Sequence, residues 1–117
     1  MQKNAIKDPR VKAISERVVQ AAKGALGDKL DKVILFGSYA RGDYDSESDI
    51  DFLIISDLPQ EEACCQRKPV RERLADIDLE FDLLVSCCYT GKAIFEQFSD
   101  TLPFYTNVIR EGIVLHG

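Results

Sequence analysis

The sequence predicts an α+β domain, a small mixed β-sheet flanked by helices. Three observations carry that expectation. Apolar residues recur at helical spacing between positions 11 and 25, two strand-sized apolar runs at 31–36 and 49–55 are separated by turn residues, and helix-spaced aromatics fill the C-terminal quarter. At 117 residues, with 45% hydrophobic and 30% charged side chains, the chain is long enough for one core and too short for two. A single domain over residues 1–117 is therefore expected.

Asp8 can cap a first helix with Pro9 at its first position, and Val11, Ile14, Val18, Ala21 or Ala22, and Ala25 form its apolar stripe before Gly27. The first strand, 31–36, rises to a Gly37-Ser38 turn. A helical turn carries Tyr39 to Arg41, and an acidic loop spans 42–48. The second strand is 49–55. Pro59 and Pro69 interrupt the pattern from 57 to 68, and Pro69 opens a helix reaching Ala75. Alternation predicts a third strand over 79–85. Thr90 reads as the cap of a helix holding Ile94, Phe95 and Phe98, and Pro103 opens another with Tyr105, Val108 and Ile109. A tail strand at 113–115 can join the sheet. No repeat or low-complexity segment is present.

The chemistry concentrates around the first turn and the second strand. Residues i and i+2 of a strand share a face, so Asp49 and Asp51 present two carboxylates side by side while Ile50 points into the core. Two hard oxygen ligands suit Mg²⁺, which also takes oxygens from substrate phosphates. Two adjacent carboxylates repel unless a cation or solvent relieves them, and the strand runs on into the apolar Phe52-Leu53-Ile54-Ile55. In the run from Asp78 to Val85, period two puts Asp78, Glu80 and Asp82 on one face and Leu79, Phe81 and Leu83 on the other.

Gly37-Ser38 with Ala40-Arg41-Gly42, followed by Ser48-Asp49-Ile50-Asp51, resembles the signature of the DNA polymerase beta nucleotidyltransferase superfamily in its minimal form, the MNT domain. The leading helix, a third acidic strand and the terminal Arg110-Glu111-Gly112-Ile113-Val114-Leu115 extend the resemblance over most of the chain. It implies the polymerase beta-type fold. It also implies that Gly37 and Ser38 hold a nucleoside triphosphate, glycine by allowing close backbone approach and serine by its hydroxyl and amide. Arg41 matches the family arginine, which either contacts phosphate or braces the loop in an ion pair with Asp43 or Asp45.

The resemblance calls for a third carboxylate besides the metal-binding Asp49 and Asp51. Asp82 is the choice, since Phe81 and Leu83-Leu84-Val85 flank it and the family pattern is an aspartate followed by an aliphatic pair. Two Mg²⁺ ions, replaceable by Mn²⁺, would then serve an in-line displacement with no covalent enzyme intermediate. The implied reaction moves a nucleotidyl group, adenylyl from ATP, onto an acceptor hydroxyl. Larger relatives add a helical acceptor-binding region, so the acceptor site is expected to be completed by a second copy or by another protein. The resemblance also implies a small helical partner of the HEPN type, with which the minimal family often forms two-gene pairs as an antitoxin that adenylylates it. A small-molecule acceptor such as an aminoglycoside, and a non-catalytic module that covers its partner, are the alternatives.

A net charge of −5 and a pI near 4.8 argue against a nucleic acid acceptor, because phosphate neutralisation needs clustered Lys and Arg. The one basic cluster, Arg67, Lys68, Arg71 and Arg73, reads as a solvated helix face. Cys64-Cys65 and Cys87-Cys88 lack Cys-x-x-Cys spacing and read as reduced, partly buried small side chains, and His116 lies too near the end of the chain for catalysis. No apolar run has membrane-spanning length and no signal core is visible, so a cytoplasmic location without membrane contact is expected.

Overall fold

Asp8 opens the first helix as its spacing demands. In a computed structural model that describes residues 2–3 and 6–117, Asp8 Oδ1 accepts the Arg10 N–H at 2.9 Å and Pro9 begins α1 (Pro9–Leu26). The helix stops at Gly27, and a 3₁₀ turn leads into β2 (Leu30–Phe36). A short strand, β1 (Gln2–Lys3), precedes α1 and was not expected from sequence. After β2 come α2 (Ser38–Arg41), β3 (Ile50–Ser56), α3 (Gln60–Cys64), α4 (Arg67–Arg73), α5 (Ile77–Phe81), β4 (Val85–Gly91), α6 (Lys92–Phe98), α7 (Pro103–Glu111) and β5 (Ile113–His116).

The strands form one mixed sheet in the order β1-β5-β2-β3-β4. The β2 strand is antiparallel to β3 and β5, whereas the outer pairs β1/β5 and β3/β4 are parallel. Helices cover both faces. Val33, Leu35, Phe52 and Ile54 pack with Val11, Ile14 and Val18 of α1, Val70 of α4 and Ile77 of α5. Ile34, Leu53, Ile55 and Val114 pack with Phe95 of α6 and Tyr105 and Val108 of α7. Burial from both sides explains why Phe52 to Ile55 is continuously apolar instead of alternating.

The structure corrects the third strand. Residues 79–85 do not form it: 77–81 are helical and the strand begins at Val85. Ile77 is buried and Phe81 packs against the same core, a four-residue spacing that belongs to a helix, while Leu79 is 83% exposed. Partners on neighbouring elements fix this choice. Arg71 pairs with Asp78, whose other oxygen accepts the Val85 N–H at 2.8 Å, and Arg17 grips both oxygens of Glu80 at 3.0 Å. Thr90 is likewise no helix cap. It lies in β4, where its hydroxyl meets Tyr105 Oη at 2.9 Å, and the helix starts two residues later.

Asp78 thus ties α4 to the start of β4. Asp78→Ala is expected to lower stability by about 1–2 kcal/mol in urea unfolding, because it strands the half-buried Val85 N–H. Glu80→Ala should cost less than about 1 kcal/mol, since its pair with Arg17 is exposed. Equal costs would show that the Asp78 knot does not hold the turn.

Arg67, Lys68 and Arg73 of the basic cluster are exposed, as a solvated face requires, whereas Arg71 is half-buried and spent on Asp78 and the Val85 carbonyl. All four cysteines are free, but Cys64 and Cys65 are exposed instead of partly buried. Burial pushes the Cys87 thiol up to about 12. Among the described residues, no helix is long and apolar enough to cross a membrane.

Candidate active site

The β2 strand delivers its last residue, Phe36, directly opposite Asp51 of β3. The chain then turns at Gly37, with φ 77° and ψ −157°, into the single turn of α2. The Ala40 and Arg41 N–H groups donate back to Gly37 O at 3.0 and 3.1 Å, which closes that turn. A Cβ on Gly37 would stand 2.7 Å from Asp51 Oδ2, so the carboxylate rests against the glycine itself.

The loop after α2 is ordered by its own side chains. Tyr44 stacks on Tyr39 with centroids 4.0 Å apart and donates its hydroxyl to Asp8 Oδ2 at 3.0 Å. Asp45 Oδ1 accepts the Glu47 N–H at 2.9 Å and the Ser48 hydroxyl at 3.1 Å, and this turn presents Asp49 just ahead of β3. Asp49 is exposed and Asp51 is half-buried. Burial raises the Asp51 carboxyl above its ordinary value, the Asp49 charge raises it further, and Arg41 partly offsets both. The two acids therefore feel each other, as their spacing implied.

Arg41 is engaged twice. Its Nε donates to Asp43 Oδ2 at 3.1 Å and its Nη1 to Glu111 Oε2 at 3.0 Å. The Arg41 guanidinium holds the Glu111 carboxyl below the ordinary range, and the two acids in turn raise Arg41. Loop bracing is the role this geometry displays. Glu111 was not singled out from sequence; its only signal was the tail Arg110-Glu111-Gly112, and its partner lies 70 positions earlier.

Asp82 is not on a strand. It caps α5 in the left-handed region, with φ 51° and ψ 49°, and is exposed. The β4 residue opposite Asp51 is Ser86 instead. Because β3 and β4 run parallel with Ile50 opposite Val85, Asp82 lies three residues before β4, at the sheet end that also carries Asp49. Of the three acids in this segment it alone makes no ion pair or side-chain hydrogen bond among the described residues. Asp78 and Glu80 are committed to Arg71 and Arg17. No group of three His, Cys, Asp or Glu side chains among the described residues is placed to hold a metal ion. The structure brings together Gly37, Asp49, Asp51 and Arg41, with Ser38 on the same turn, and leaves Asp82 apart.

A glycine turn from one strand, abutting a carboxylate on the next with a second acid before it, is the arrangement of a nucleotidyltransferase. The chain belongs to that family: residues 11–114 match the family described as "Nucleotidyltransferase domain". Two curated relatives come from Methanocaldococcus jannaschii. "Putative protein adenylyltransferase MJ0604" is 35% identical over 105 residues, covering 90% of this chain and 96% of that protein. "Putative protein adenylyltransferase MJ0141" is 42% identical over 81 residues, 68% of this chain and 79% of that one. A crystal structure described as a mutant of the toxin-antitoxin MntA-HpeT superposes with a TM-score of 0.56 at 18% identity, covering 88% of this chain and 73% of that one. That likeness establishes the shared α+β fold.

Proposed function

We propose that the chain transfers an adenylyl group from ATP to a side-chain hydroxyl on a partner protein, as the antitoxin of a pair whose toxin is of the HEPN type. The single observation that carries the reading is the Asp51 carboxylate seated against Gly37, an oxygen available to a metal beside the turn we assign to the triphosphate. The names of the two archaeal relatives support protein as the acceptor class, and the toxin-antitoxin neighbour supports a partner that completes the site.

The carboxylate pair fits a divalent cation. Asp51 is held above its ordinary pKa by burial and by Asp49, and a hard cation on both oxygens would relieve that repulsion. Asp49 and Asp51 would hold Mg²⁺, or Mn²⁺ in its place, while Asp82, at the same end of the sheet but in no three-acid cluster among the described residues, would take the acceptor proton. A cation held there would lower the pKa of the acceptor hydroxyl and steady the triphosphate. Gly37 and Ser38 seat the phosphates, while Arg41, locked to Asp43 and Glu111, keeps the turn at the height of Asp51. The acceptor oxygen bonds the α-phosphorus, pyrophosphate leaves, and the acceptor proton passes to a carboxylate.

Asp82 is the uncommitted acid at the Asp49 end of the sheet, and Asn tolerates its left-handed backbone. Asp82→Asn is therefore expected to keep the parent melting temperature and to slow transfer by about 10²–10⁴-fold, the range of a lost proton-transfer group. Glu80→Gln and Asp78→Asn should change turnover only as far as they change folding. A larger loss with Glu80→Gln would remove Asp82 from the site.

The transfer itself is tested by incubating the chain with ATP, Mg²⁺ and the product of the neighbouring gene, then weighing that product intact. Added adenylyl masses that disappear with Asp49→Asn are expected. Modification of an aminoglycoside with the protein left unchanged would replace the acceptor class. Protection from the toxin without any mass change would make the chain a covering module.

A further inference from the structure

The Asp51 face of the sheet continues into a cleft that the nucleotidyltransfer reading leaves unused. Phe36, the ladder partner of Asp51, and Gly37 form one boundary, and Phe104 and Asn107 of α7 form another, around a volume of about 270 Å³. Phe104 is 45% exposed, yet its position is fixed. It meets the Phe36 ring edge-to-face at 5.4 Å and 89°, and Tyr105 at 5.5 Å. Asn107 is oriented too, because its Oδ1 accepts from Arg110 at 2.8 Å, which directs the amide N–H₂ away from that partner.

Charge favours a neutral occupant. The two ionised residues at the rim, Arg41 and Glu111, are bonded to each other at 3.0 Å, so neither is left to draw a phosphate or a carboxylate into the cleft. The volume is below the roughly 300–1,000 Å³ of sites for whole drug-sized ligands, and suits one bicyclic ring system. Gly37 borders both the cleft and Asp51, so the cleft adjoins the turn on which the triphosphate is proposed to sit.

We propose that this cleft seats the purine base of the donor nucleotide, stacked on Phe104, with the Asn107 amide donating to a ring nitrogen. The inference rests on the nucleotidyltransfer reading and deepens it. Titration calorimetry of the full chain with ATP and with inorganic tripolyphosphate, both in Mg²⁺, separates the base from the phosphates. In the parent, ATP is expected to bind more tightly than tripolyphosphate. Phe104→Ala should weaken ATP roughly tenfold, the scale of one lost base–aromatic stack, and leave tripolyphosphate unchanged. Phe104→Trp, which keeps an aromatic face and guards against a simple packing defect, should retain ATP affinity. Equal affinity of the parent for the two ligands, or an ATP affinity untouched by Phe104→Ala, overturns the base site while the donor reading stands. Binding of neither ligand overturns both.

Discussion

Asp51→Asn is expected to reduce transfer by more than about 10²-fold, the scale of losing one preorganised stabilising group, while leaving the fold at least as stable as the parent. The sign of the stability effect follows from the Asp51 pKa. Burial first, and the Asp49 charge second, raise it in the folded state above the ordinary 3.8. A carboxyl whose folded pKa is raised contributes stability that is fully present below the unfolded value and is lost as pH rises through the folded one. At neutral pH without metal, ionised Asp51 therefore weakens the fold, and the amide removes that penalty. The advantage of Asp51→Asn should shrink as pH falls through the folded pKa and vanish below 3.8. Thermal melts of both proteins in chelator across that range provide the check. Adding Mg²⁺ should reverse the order by stabilising the parent more than the variant. A variant that melts well below the parent at neutral pH would make Asp51 a structural residue.

What the sequence made legible was local. Asp8 and Pro9 open α1, and Gly37 ends β2 beside the paired aspartates, because capping, turn conformation and side-chain alternation are set within a few residues. The segment from Asp78 to Thr90 was misread because its deciding contacts are made with other elements, the farthest of them Arg17 on α1. Alternating acids over five positions fit a strand, but they equally fit a short helix once Arg17 and Arg71 are there to receive them. Ile77 and Phe81 held the competing signal, a spacing of four, in a window too short for periodicity to arbitrate. Thr90 is a good cap by residue type, and its bond to Tyr105 came only with the fold. The same limit applies to the site. Asp49, Asp51 and the glycine turn could be named from spacing, whereas the Arg41–Glu111 tie and the departure of Asp82 from the strand depend on how distant elements dock.

Gly37→Ala should damage both stability and transfer. Its φ of 77° with ψ of −157° lies where essentially only glycine is found, at a cost of about 1–3 kcal/mol for any other residue. The added Cβ would also stand 2.7 Å from Asp51 Oδ2, so the carboxylate must move away from the triphosphate turn. Gly42→Ala separates the two effects. Gly42 has a φ of 89° but open space around its missing Cβ, so that variant carries backbone strain with no displacement of Asp51. Both variants are expected to melt at lower temperature, and only Gly37→Ala should also lose transfer by more than about 10²-fold. The contact can then be isolated by a cycle with Asp51→Ala. With the carboxylate removed, Gly37→Ala should cost less stability than it does in the parent, by the amount of the clash, because residues in direct contact do not add. Turnover retained by Gly37→Ala at the level of Gly42→Ala would mean that Asp51 can act from a displaced position, and that its seat on the glycine is not what sets the site.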